Sequence, residues 1–149
     1  GFAYRDPDAP SYGAMTAAGV SGLLLARDGL RALGRADRGL LRALDAGVRD
    51  GFAWLAQHFS VRCNPGCAER ADNHRGYYLY CLERCCELAR VAHLQGRDWY
   101  YEGSMQLLLA QQPSGAFASG HASTLTLDST CFAVLFLSKA SANGPITGG

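Results

Sequence analysis

Two stretches of the chain repeat one another 52 residues apart. "DGFAWLAQ" (50–57) and "EGSMQLLLAQ" (102–111) align so that Gly51 falls over Gly103 and Leu55 over Leu107. The same offset lays "YYLYCLERC" (77–85) over "STCFAVLFL" (129–137). A looser copy, "MTAAGVSGL" (15–23), lies 62 residues before "YYLYCLERC", and the ten additional residues fit the long connection "RDGLRALGRADR". A unit recurring at such a period cannot bury its apolar face alone, so neighbouring copies must stack.

The repeated unit is helical. Five segments carry three-and-four apolar spacing. They are "SYGAMTAAGVSGLLLARDGL", "ADRGLLRALDAGVRDGFAWLAQHF", a third from about His74 to Ala92, "DWYYEGSMQLLLAQQ" and "LDSTCFAVLFLSKAS". In the second, Leu41, Leu44, Val48, Phe52, Leu55 and Phe59 share one face. Arg38, Arg42, Asp45 and Arg49 take the other, with Asp45 and Arg49 spaced to pair. Asp98 is placed to cap the fourth helix, and Asp128 or Ser129 the fifth. The first, third and fifth helices have little polar surface and are expected to be buried nearly all round, whereas the second and fourth carry a polar side. Breaker-rich stretches, "SVRCNPGCAERADN", "HLQGR" and "QPSGAFASGHAST", read as loops. The class is all-α: one domain of αα-hairpins over residues 1–149, with flexible ends at 1–10 and 142–149.

A net charge of +1, with arginine and acid interspersed, gives no electrostatic reason to expect a nucleic-acid partner. No apolar run approaches the roughly 18–20 residues of a membrane span, and no charged-then-apolar leader opens the chain. Starting on Gly1 rather than Met, the chain is expected to be a piece of a longer one.

Hairpins of this length, pairing an inner with an outer helix, resemble the prenyltransferase and squalene-oxidase repeat. That repeat is the unit of the α/α-toroid shared by squalene and hopene cyclases and by the β-subunits of protein prenyltransferases. The resemblance rests on "SYGAMTAAGV", "GFAWLAQHFSVRCNPG", "YYLYCLER", "DWYYEGSMQLLLAQQ" and "DSTCFAVLFLSKAS", covering the chain from about Ser11. The cyclase signature, Gln followed by Gly-x-Trp, occurs here as Gln111, Gly115, Ala116 and Phe117, with phenylalanine in place of tryptophan. The catalytic signatures are missing: there is no Asp-x-Asp-Asp acid and no Asp-rich diphosphate motif. Asp128 and Cys131 lie three apart, unlike the Asp-x-Cys of zinc-dependent members, and Ser129 stands where their histidine would.

The resemblance therefore implies part of an α/α-toroid whose inner helices present an apolar, aromatic concave face. It implies a non-catalytic binding or interaction module, filled by the rest of a parent chain, another subunit or an apolar, isoprenoid-like ligand. The alternative is a fragment of a terpenoid cyclase or prenyltransferase-like enzyme that contributes part of an isoprenoid cavity.

The stretch "HRGYYLYCLERCC" (74–86) concentrates the chemically capable groups. Tyr77, Tyr78 and Tyr80, with Phe132 of the fifth helix, are the candidates to line a cavity. Aromatic faces suit apolar or cationic ligands, but a tyrosine can equally close a core with its ring buried and its hydroxyl wet. Cys63 and Cys67 flank an Asn-Pro-Gly turn, and with His74 they could supply three zinc ligands, Cys81 or Cys85 completing the set. A Cys63–Cys67 disulfide and two free thiols are the other readings. Cys81 and Cys85, four apart on a helix, have Cβ atoms about 5–6 Å apart, too far for the roughly 3.5–4.5 Å of a disulfide. Tyr78, Cys81, Leu82, Cys85 and Ala89 form one stripe, with Glu83, Glu87 and Arg90 as a polar strip opposite. Trp54, Trp99, Tyr100 and Tyr101 are expected to fix hairpin-to-hairpin packing. No Ser/His/Asp arrangement is defensible.

Overall fold

The computed structural model describes residues 1–4, 9–35, 37–66, 74–117 and 126–138. They form helices α1 (Gly13–Ala32), α2 (Arg38–Gln57), α3 (Arg75–Ala89), α4 (Trp99–Leu109) and α5 (Thr126–Leu137). A hairpin of β1 (His93–Leu94) and β2 (Arg97–Asp98) precedes α4. The class is all-α, as expected, and no helix of the described residues is long and apolar enough to cross a membrane.

The helices form a row. α3 lies between α1 and α5, while α2 packs on α1 and α4 on α5. Val20 and Leu24 of α1, Leu55 of α2, Tyr78, Leu79, Leu82, Cys85 and Cys86 of α3, and Phe136 of α5 make up the fully buried core. Two glycines, Gly51 and Gly103, set the distance between packed helices. A Cβ on Gly51 would run into the Val20 side chain, and one on Gly103 into the Phe136 ring. Trp99 and Tyr100 complete the second contact. Their rings lie 6.1 and 5.5 Å from that of Phe136, the Tyr100 hydroxyl donates to the Leu137 carbonyl at 2.7 Å, and Trp99 Nε1 donates to Val91 O at 2.7 Å.

The loop before α3 has a structural task that its composition hides. Tyr12, at the N-cap of α1, provides no side-chain cap. Instead Asn64 Oδ1 accepts from the Ala14 N–H at 2.9 Å and the Pro65 carbonyl from the Gly13 N–H at 2.8 Å. The orphan donors at the start of α1 are thus satisfied from 50 residues away. Gly66, at φ 84°, lies so close to the Ser11 carbonyl that no side chain fits. At the N-terminus, where a flexible end is expected, Phe2 is docked: its N–H donates to Thr16 Oγ1 at 3.0 Å and its ring lies against Gly19. The expected flexible end at 142–149 lies outside the described residues.

Several local expectations are corrected. α3 stops at Ala89 rather than Ala92, because Arg90 turns left-handed at φ 56°. "HLQGRD" is a tight hairpin, not an open loop, with Gln95 and Gly96 both at positive φ (50° and 75°), the signature of a two-residue primed turn. Asp98 does cap α4, accepting from the Tyr100 and Tyr101 N–H groups at 3.0 and 2.9 Å. α5 begins at Thr126, which leaves Asp128 and Ser129 inside its first turn rather than at its cap. Asp45 pairs not with Arg49 but across the helices, with Arg27 at 3.2 Å and Arg31 at 3.6 Å, while Arg49 faces Asp50 at 3.5 Å.

Candidate functional site

The side of α3 that is not fully covered carries Tyr77, Tyr80, Arg84 and Leu88, spaced three or four apart and each half-buried. Leu79, Leu82 and Cys86, on the other side, are in the core. Phe132 of α5 completes an aromatic cluster. Its ring lies 5.4 Å from Tyr77, edge-on at 62°, and 5.6 Å from Tyr80, tilted by 37°. The backbone makes this possible at Gly76, where a Cβ would already stand 3.4 Å from that of Phe132. Ring pairs of this geometry contribute about 0.5–1.5 kcal/mol beyond their burial.

The structure separates the three tyrosines. Tyr77 and Tyr80 share the Phe132 cluster. Tyr78, one residue and about 100° around the helix, is fully buried and is no part of that surface. Its ring presses on Gly13, where a Cβ would stand 2.7 Å from it, and its hydroxyl finds no hydrogen-bond partner among the described residues. The Ser60 backbone lies near enough to ease the ionised form slightly, without completing a bond. Burial, with Cys85 nearby, pushes the Tyr78 phenol well up.

Burial also dominates the shifts of Tyr77, Cys81 and Cys85. Tyr77 is pushed up to about 12, first by burial and then by the adjoining Cys81 thiol. Cys81 is pushed up to about 11 by burial, and Cys85 well above its ordinary value by burial and then by its contact with Cys86. At neutral pH these groups are protonated, so the thiols are packing elements rather than nucleophiles.

Glu83 overturns the expected polar strip. Its side chain is 0% exposed, and the neighbouring Arg84 grips it with two hydrogen bonds of 2.6 Å, Nε to Oε2 and Nη2 to Oε1. Arg84 itself is 26% exposed. A buried carboxylate is tolerated only when paired and hydrogen-bonded, and the pairing fixes the direction of the Arg84 guanidinium.

The proposed zinc ligands are not assembled by the described residues. Cys63 is half-buried and donates to Ser60 Oγ at 3.3 Å; His74 is exposed, at φ 60° ahead of α3, and makes no side-chain cap. Cys67 lies outside the described residues. Among the described residues, no group of three or more His, Cys, Asp or Glu side chains is placed to hold a metal.

A concavity, termed the outer groove, lies between residues 59–62 and α4. It measures about 400 Å³ and is lined by Phe59, Val61, Arg97, Tyr101, Met105 and Leu109. Arg97 ties this region together: it sits 4.5 Å over the Phe59 ring, donates to the Phe59 carbonyl and pairs with Glu102. Trp99 and Tyr100 pack as expected of them, and Trp54 stacks on His58 at 4.2 Å, but Tyr101 is 63% exposed and fixes nothing. Sequence reasoning missed the roles of Glu83, Arg84 and Arg97, which no local pattern marks.

No protein-family model, curated protein or solved structure matches the chain.

Proposed function

We propose that the chain is a stacked-hairpin domain of the prenyltransferase and squalene-oxidase repeat type, forming part of an α/α-toroid. It acts as a binding or interaction module rather than as a catalyst. The observation that carries this reading is the cluster of Tyr77, Tyr80 and Phe132 on the half-buried side of the α1–α3–α5 row. Apolar surface of this kind, rimmed by polar groups, takes an apolar ligand or an apolar segment of a partner. The protonated thiols and phenols beneath it support binding over chemistry.

The test is a titration with the uncharged, environment-sensitive dye N-phenyl-1-naphthylamine. Saturable fluorescence enhancement is expected for the native chain. It should be lost in a Tyr77→Ala, Phe132→Ala variant that circular dichroism shows to be folded, and kept in a Met105→Ala, Leu109→Ala variant of the outer groove. Enhancement that follows the outer groove instead would overturn the assignment.

A further inference from the structure

We infer that the exposed side of α5 is a self-association surface, on which a second copy of this chain packs its own α5 antiparallel about a two-fold axis at Cys131. The inference goes beyond the binding face of Tyr77, Tyr80 and Phe132 and uses a different side of the helix.

α5 ends the row of helices, and α3 and α4 cover one side of it. Ser129, Ala133 and Phe136 are buried on that side. Leu127, Cys131 and Val134, spaced four and three apart, run down the opposite side, with Leu135 next to them. All four are exposed, Leu127 by 69% and Val134 by 53%. Ser138 ends the stripe and adds no outward donor, because its hydroxyl donates back to the Leu135 carbonyl at 3.0 Å. A helix that is apolar on every side is normally covered all round, and a bare aliphatic stripe of this kind marks an interaction surface.

Charge, shape and order along the stripe choose the occupant. Asp128 is the only charged residue of α5 and lies at the margin of the stripe. A surface without charge can face its own copy without setting like charges together. No basic residue in α5 draws it to an anionic membrane, and the side of a helix is convex, whereas a small molecule needs a concavity. The stripe is also symmetric: Leu127 lies four residues before Cys131 and Leu135 four after it. Turning a second copy end for end about Cys131 brings Leu127 alongside the second copy's Leu135, with the two small thiol side chains at the crossing. Such a contact is isologous and closes at two copies. A helix of 12 residues is about 18 Å long. A contact along it is smaller than the roughly 800 Å² per partner of a stable complex, so the pair is reversible rather than permanent.

The experiment is sedimentation velocity of the chain from about 10 μM to about 1 mM, the range in which a small interface associates, paired with bridging by a short bismaleimide. The sedimentation coefficient is expected to rise with concentration towards that of a dimer. Leu127→Glu, Val134→Glu changes two exposed positions, so circular dichroism should show the helix content unchanged. It should weaken association at least about tenfold by setting like charges across the two-fold. Met105→Glu, Leu109→Glu in the outer groove should leave association as it was. Bridging is read in a Cys63→Ser, Cys67→Ser background, where Cys81, Cys85 and Cys86 are buried and Cys131 is exposed. A covalent dimer is expected there, and adding Cys131→Ser should abolish it; this readout does not depend on either glutamate variant. A monomer throughout the range, an association indifferent to the glutamates on α5, or one lost with the outer-groove pair would overturn the inference. So would a dimer that the glutamates disperse but the bismaleimide does not bridge, because its two-fold would lie elsewhere. A chain that stays monomeric yet floats with phosphatidylcholine vesicles, and stops floating with the glutamates on α5, would give the face to lipid instead of a second copy.

Discussion

Gly51 on α2 and Gly103 on α4 stand 52 residues apart in the sequence, and both let one helix approach another closely. Their partners differ. Gly51 receives Val20 of the preceding helix α1, whereas Gly103 receives Phe136 of the following helix α5. Around Gly51 the packing is aliphatic. Around Gly103 it is a ring cluster, with Trp99, Tyr100 and Phe136 in contact. Both crossings thus lack a Cβ on one helix, and they differ in what fills the interface. α3 and α5 also differ in content, α3 rich in tyrosine and cysteine and α5 rich in aliphatic residues, yet lie side by side.

The comparison can be broken first at the aromatic contact. Phe136→Ala should cost about 3–5 kcal/mol, because a fully buried ring is deleted between α3, α4 and α5. Urea denaturation would read this, and a loss below about 1 kcal/mol would show that the second contact is not cohesive. Alkaline titration sharpens the contrast from the side of α3. The Cys81 thiol titrates near 11 in the folded chain against 9.0 ordinarily. Both states are protonated below 9.0, so its contribution is intact there. It then falls by about 1.4 kcal/mol per pH unit as the unfolded chain ionises first, until the folded thiol also ionises near 11. Tyr77 and Cys85 act in the same direction. Stability measured from pH 8 upward should decline, and Cys81→Ala should flatten the first part of that decline.

Next come the glycines themselves. Gly51→Ala and Gly103→Ala should each destabilise by about 1–3 kcal/mol through overpacking. Gly22→Ala is the opposite case: it sits inside α1 with nothing within 4 Å of the new Cβ. It should stabilise by about 0.5–1 kcal/mol by removing backbone freedom from the unfolded chain. Identical substitutions with opposite signs, read by thermal unfolding, would separate crossing glycines from incidental ones.

What the sequence made legible follows from range. Helical spacing and the Asp98 cap are local signals, and both appear where expected. The distinction between Tyr77 and Tyr78 depends on where α1 and α5 lie around α3, which spacing along one helix does not fix. Adjacent helix residues normally diverge, so nothing in "LER" marks the Glu83–Arg84 grip. Asn64 hides its capping role because its partner is Ala14, far away in sequence. The β1–β2 hairpin has strands of two residues, too short for any alternation to show. Spacing offers Arg49 to Asp45, and only the packing of α1 on α2 pairs it instead with Arg27 and Arg31.

The most direct test of the proposed binding face is an N-phenyl-1-naphthylamine titration followed by amide and methyl chemical shifts in an isotope-labelled sample. Perturbations centred on Tyr77, Tyr80, Arg84 and Leu88 of α3 and on Phe132 of α5 are predicted, with Met105 and Leu109 of the outer groove unmoved. Shifts centred on the outer groove, or none across α3 at saturating ligand, would contradict it.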